Sequence, residues 1–104
     1  MATYQSIFVA QNGTSFTVGA ASSSGDVFPM PPFTGASPRA LFAIQASAAI
    51  NIRFGNAGMS NATVADWQIP GGAVQEFDLS DQWDRIRIFS TAGATVWILP
   101  LYRS

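Results

Sequence analysis

Apolar and polar residues alternate along much of this chain, with a period of two. INIRF, residues 50–54, is the clearest instance: Ile50, Ile52 and Phe54 fall on one side, Asn51 and Arg53 on the other. A strand sends successive side chains to opposite faces, so this stretch predicts a half-buried strand. LFAIQAS, residues 41–47, likewise puts Phe42, Ile44 and Ala46 on one face. DRIRIFS, residues 84–90, turns Ile86 and Ile88 inward and Arg85 and Arg87 outward. In AVQEFDL, residues 73–79, Val74 is out of phase with Phe77 and Leu79, a slip that predicts a bulge. DWQIP, residues 66–70, is a short extended piece closed by a Pro-Gly-Gly turn. TVWILPLY, residues 95–102, is a mostly apolar strand, and Trp97 within it is expected in the core or in a buried interface.

The first third of the chain reads less evenly. TYQSIFVA, residues 3–10, predicts a strand, Asn12-Gly13 a hairpin turn, and SFTVGA, residues 15–20, the returning strand. TAGAT, residues 91–95, predicts a second hairpin. Residues 21–40 show neither the strand nor the helical period and hold four of the six prolines, Pro29, Pro31, Pro32 and Pro38. This predicts an extended loop or arm. Val27, Phe28, Met30 and Phe33 argue against a plain linker, which would be polar. Residues 55–65 are small and polar, a loop, and VADWQ is the only candidate helical turn, cut off by Pro70. Seven or eight short strands separated by turns predict an all-β chain, an antiparallel β-sandwich of jelly-roll type or a small barrel. The 104 residues suit one domain, with residues 21–40 as a loop or arm within it.

Composition narrows the function classes. Apolar residues make up 48% and charged residues 11% of the chain, against about 25% charged in ordinary soluble domains. A surface so poor in charge suits a protein covered by neighbours, and equally a β domain whose polar face is built from Ser and Thr. The five cations are all arginine, at positions 39, 53, 85, 87 and 103, and the net charge is −1. Nucleic-acid binding needs a basic footprint to release counterions, so no nucleic-acid partner is expected. Without cysteine there is neither a disulfide nor a thiolate metal site. The opening residues lack the basic flank and long apolar run of a signal peptide. No run approaches the ~20 apolar residues of a spanning helix, and strands of about six residues are short for a membrane barrel, so no membrane partner is expected.

The candidate chemistry is thin. Glu76 and Asp78 lie two apart on a predicted strand and share a face, as a glycosidase carboxylate pair requires, but no third polar anchor accompanies them. DLSDQWD, residues 78–84, has three acids in seven residues yet lacks the glycine and terminal glutamate of an EF-hand loop, and reads as an Asx-type turn. With no His or Lys, the plentiful Ser and Thr have no partner base, so the chain is expected to be no enzyme and to need no metal or cofactor. Arg85 and Arg87 are expected to pair with Glu76 and Asp78 if their strands are neighbours. Trp67 and Trp83 flank turns and are the tryptophans best placed for contact with a partner or a sugar. The sequons at Asn12 and Asn61 fall in turns, where Asn and Thr belong in any case.

The stretch from INIRFGNAG through DWQIPGGAVQEFDL to DRIRIFSTAGATVWI resembles the small all-β virion proteins of tailed bacteriophages, the capsid cement or decoration class. The resemblance rests on Arg53-Phe54-Gly55 ending a strand, the turn Ile69-Pro70-Gly71-Gly72, Phe77, Ile86 with Ile88, and Ala92-Gly93-Ala94-Thr95 leading into the last strand; it covers about the last 60 residues. It implies a jelly roll or sandwich with no catalysis, often a homotrimer, seated on the outer surface of a capsid and binding the major capsid protein. On that footing residues 21–40 become an arm, with Phe28, Met30 and Phe33 as partner-binding anchors beside Trp67 and Trp83. A place in the tail, the head–tail junction or a fibre base is the alternative within the virion, and a carbohydrate-binding module the alternative outside it.

Overall fold

The structure, a computed structural model, describes residues 7–9, 12–27, 40–79, 83 and 85–103. Among them are nine strands and no helix: β1 Ile7–Val9, β2 Thr14–Val18, β3 Ser22–Ser23, β4 Ala40–Ala46, β5 Ile50–Gly55, β6 Trp67–Ile69, β7 Gln75–Leu79, β8 Arg85–Ser90 and β9 Ala94–Arg103. They form two antiparallel sheets. In the first, β1 and β2 lie end to end along one edge of β9, followed by β4 and β7. The second runs β3–β8–β5–β6.

The pairing is nested. β2 pairs with β9, β3 with β8, β4 with β7 and β5 with β6, and the doubled chain is then rolled so that β9 meets β4 and β8 meets β5. That is a jelly-roll sandwich, the fold class expected from the sequence. Its core is an apolar layer between the two inner faces. Phe42, Ile44 and Ala46 of β4 and Val96 and Ile98 of β9 face Ile50 and Ile52 of β5 and Ile86 and Ile88 of β8; all are buried. Each sits at the inward positions of an alternating strand, which is why the period was readable.

The rolled topology overturns both predicted hairpins. β1 and β2 do not pair with each other; both run antiparallel to β9, which at ten residues is long enough to take both. Gly13 serves a close approach instead of a turn, since a Cβ there would lie 2.9 Å from the Ile98 carbonyl oxygen. The TAGAT turn carries the chain from β8 in one sheet to β9 in the other. Gly93 holds φ +85 at this corner, a left-handed conformation that glycine adopts without steric cost. Of strands consecutive in the chain, only β5 and β6 pair among the described residues.

Three smaller expectations also change. Residues 22–27 do have strand structure: Ser22 and Ser23 pair with Ser90 and Phe89, and Val27 bridges Ile86 through two backbone hydrogen bonds of 2.9 Å. A run of Ser, Gly and Asp hides an edge strand because both faces are polar. The slip in residues 73–79 is no bulge, because β7 pairs with β4 in unbroken register from Gln75 to Leu79. Val74 lies before the strand and is exposed. Asn51, predicted to face water, is buried, because residues 56–66 fold back over it.

Candidate functional site

The two outer faces of the sandwich differ in kind. The outer face of the second sheet is polar and sealed by the chain itself. Nδ2 of Asn51 donates to the carbonyls of Val64, at 3.3 Å, and Asp66, at 3.0 Å. Arg53 donates from Nε to the Asp66 carboxylate at 3.1 Å, and that carboxylate also accepts the Thr63 N–H at 2.8 Å. Ser23 Oγ accepts the Ala62 N–H at 3.0 Å, which ties the same loop to β3. Arg87 donates to Asn61 Oδ1 and, at 2.8 Å, to Asp26; Arg85 reaches the same carboxylate at 3.3 Å. These contacts leave no buried side-chain polar atom unpaired among the described residues.

Arg85 and Arg87 are not on a strand that neighbours the one carrying Glu76 and Asp78. β7 and β8 belong to different sheets, so the cross-strand ladder expected from the sequence has no geometry to form in. Asp26 takes both guanidinium groups instead. The Arg87 hydrogen bond, helped by the charges of Arg87 and Arg85, holds its carboxyl below the ordinary aspartate range against an opposing desolvation cost.

The outer face of the first sheet is of another character. Register places four rows across it. Thr17 lies opposite Thr95, and Ser47 accepts the Thr95 N–H on its hydroxyl at 2.9 Å. Next, Ser15, Trp97 and Gln45 stand side by side on β2, β9 and β4. Leu99 then lies beside Ala43, which faces Glu76, and Leu101 lies beside Leu41. The face thus grades from hydroxyls at one end to leucines at the other. Around Trp97 it forms an open depression of about 490 Å³, lined also by Thr14, Val74 and Leu99.

Trp97 is 46% exposed, which overturns the core as its place and leaves a buried interface as the other half of that expectation. Alternation carries the reason: Val96 and Ile98 point inward, which turns Trp97 and Leu99 outward. The signal was present in the sequence but masked by apolar residues on both phases of the strand.

Trp67 and Trp83, singled out as contact residues, are 64% and 43% exposed. Both adjoin residues of β5. Trp67 is opposite Ile52, while Trp83 stacks on Phe54 with ring centroids 5.9 Å apart and planes 15° from parallel. Phe54 in turn meets Phe77 edge-on at 5.2 Å, and Phe77 meets Phe42 at 5.6 Å. A continuous line of rings runs from the fully buried Phe42 to the surface at Trp83. The other expected anchors, Phe28, Met30 and Phe33, lie outside the described residues, as do residues 80–82 and 84 of the acidic turn. Among the described residues no group of His, Cys, Asp or Glu is arranged to hold a metal. No helix among them is long and apolar enough to cross a membrane.

No protein-family model and no curated protein matches the chain. Among solved structures it is similar to a de novo designed double-stranded β-helix determined by solution NMR. The two share 19% identity and a TM-score of 0.55, over 86% of this chain and 99% of that one. A subunit of Bacillus endospore appendages, which form a family of disulfide-linked pili, gives 14% identity and a TM-score of 0.48 over 96% of this chain and 90% of that one. The likeness to the designed protein is one of fold alone: all-β, two antiparallel sheets, a sandwich.

Proposed function

We propose that this chain is a non-enzymatic structural protein of a virion, of the capsid cement or decoration class, which binds the major capsid protein on the outer surface of the shell and self-associates, as a trimer. The observation that carries the reading is the placement of tryptophan. The chain has three, and all three are between 43% and 64% exposed, while the core is filled by Ile, Phe, Val and Leu. Tryptophan gives up much favourable burial when left in water, and it is the residue most enriched at interface hot spots. A small jelly roll that keeps its largest side chains outside is built to bury them against something else.

The resemblance to phage cement proteins supplies the kind of partner, and its residues occupy coherent places. Arg53-Phe54-Gly55 ends β5, Ile69 ends β6 before its turn, and Ala92-Gly93-Ala94-Thr95 carries the chain into β9. Trp67, opposite Ile52, and Trp83, stacked on Phe54, are the docking pair. Each contact is small, and repetition by symmetry over a lattice multiplies it. The low charge density fits a protein that exchanges water for neighbouring subunits.

The test is particle association. A source lysate is spun through a density gradient and each fraction searched by mass spectrometry for the tryptic fragment of residues 54–85. The reading expects this fragment to travel with particles at a fixed ratio to the major shell protein. A ratio of a few copies per particle places it at the tail or the head–tail junction. Recovery only at the top of the gradient, with free protein, overturns the virion reading.

A further inference from the structure

The geometry points to a second binding site, for an uncharged glycan, in the depression around Trp97 on the outer face of the first sheet. Three observations define the ligand. The first is the row Ser15–Trp97–Gln45. Neighbouring strands lie about 4.8 Å apart, so these three side chains place an aromatic ring between two hydrogen-bonding groups over a width of about 10 Å. A pyranose ring has the matching form: a flat face of C–H groups for the indole, and a rim of hydroxyls for its flanks. Ser15 contributes a hydroxyl that both donates and accepts. Gln45 contributes an amide, and its orientation is already fixed, because Nε2 donates to the Gly72 carbonyl at 3.2 Å. A group held before the ligand arrives costs less entropy on binding.

The second observation is charge. Among the described residues no charged side chain lines the depression. Arg53 and Arg87 sit on the opposite sheet with their carboxylate partners, as does Arg85, which pairs with Asp26. An anionic ligand would have to shed its water at the Trp97 depression with no cation to receive it. Charge matching therefore selects a neutral occupant.

The third is size. Ten of the described residues line the depression. The row on one side turns polar, at Thr17 with Thr95, and on the other side Glu76 closes the row of Leu99 and Ala43. The volume of the depression falls within the roughly 300–1,000 Å³ of small-ligand pockets.

This site uses Trp97, whereas shell docking is assigned to Trp67 and Trp83, so the two readings fail separately. The purified, ¹⁵N-labelled full chain is titrated with cellohexaose, maltohexaose and chitohexaose, and with a heparin hexasaccharide as the charged comparison. At least one neutral sugar is expected to give saturable shifts concentrated on the Trp97 indole N–H, the Gln45 side-chain amide and the backbone of Ser15 and Thr14. Trp97→Ala should weaken binding at least tenfold, Gln45→Ala severalfold, and Trp97→Phe should retain part of it. Because Trp97 is half exposed, the melting temperature of these variants serves as the folding control. Any of these results overturns the site: no saturable shift with any of the three neutral sugars, saturable binding of heparin alone, shifts centred on Trp67 or Trp83, or a Trp97-dependent self-association in sedimentation. Particle association of Trp97→Ala is read in parallel, and its loss would assign Trp97 to the shell contact instead.

Discussion

Arg87 donates from Nε to Oδ1 of Asp26 at 2.8 Å, across 61 residues of sequence. The contact fastens the strand-like segment of residues 22–27 to β8, and Arg85 adds a second bond to the same carboxylate. It also makes stability depend on pH. The folded pKa of Asp26 lies below its unfolded value, so the pair contributes stability above the unfolded pKa, near 4. That contribution is lost as the pH falls through the lowered folded value. Asp26→Asn should therefore melt below the parent protein by a constant interval at neutral pH. The interval should shrink as the pH drops below about 4. Thermal melts recorded across the acid limb check this; an interval that stays constant down to the lowest pH would show that Asp26 acts through shape and not charge.

Gly13 and Gly25 form a matched pair. An added Cβ at Gly13 would press on the Ile98 carbonyl at 2.9 Å, and backbone cannot step aside cheaply. Gly13→Ala should cost about 1–3 kcal/mol, the usual penalty of overpacking. At Gly25 the same atom meets nothing within 4 Å, and the backbone is not left-handed. Gly25→Ala should be neutral or stabilise by about 0.4–1 kcal/mol, through the entropy of the unfolded chain. Urea titration of both variants distinguishes a glycine kept for packing from one that is not.

What the sequence disclosed follows from what is local. The inward faces of β4, β5 and β8 could be read from Phe42, Ile44, Ile52, Ile86 and Ile88, because alternation is a property of the strand itself. Pairing is not local. Asn12-Gly13 and Ala92-Gly93 announce a change of direction, but nothing in those residues says whether the returning chain joins the same sheet or crosses the core. In a jelly roll nearly every turn crosses. The candidate site divides in the same way. Trp67 and Trp83, expected as contact residues because they flank turns, are exposed. Trp97 was hidden because Leu99 and Leu101 make the outward phase of β9 as apolar as its inward phase. The Ser15–Trp97–Gln45 row needs three strands whose adjacency only the fold supplies.

Asn51 pins the loop of residues 56–66 to the sheet. Its side chain is 5% exposed and spends both amide hydrogens on loop carbonyls. Asn51→Leu keeps the volume and strips the donors from two acceptors. A lost partner of this kind costs about 1–3 kcal/mol. The loss should be local first: amide exchange should rise in residues 60–66 well before it rises in β5 or β8. Exchange that increases equally in loop and core would show that the loop has no separate opening.

Trp67 and Trp83 separate docking from packing. Trp83 covers Phe54 and ends the ring sequence that begins at Phe42, so Trp83→Ala removes a stacked pair worth about 0.5–1.5 kcal/mol beyond its area. No ring contact of Trp67 is found among the described residues, and at 64% exposure its truncation should move stability by no more than about 0.5 kcal/mol. On the cement reading both variants should lose shell association to a similar degree, since each removes one exposed anchor. Stability and association should therefore come apart: Trp67→Ala stays folded at parental strength yet fails to co-sediment with particles. If Trp67→Ala binds normally and only Trp83→Ala fails, in proportion to its lost stability, the aromatic end of the sandwich is a packing device. The contact surface then lies elsewhere.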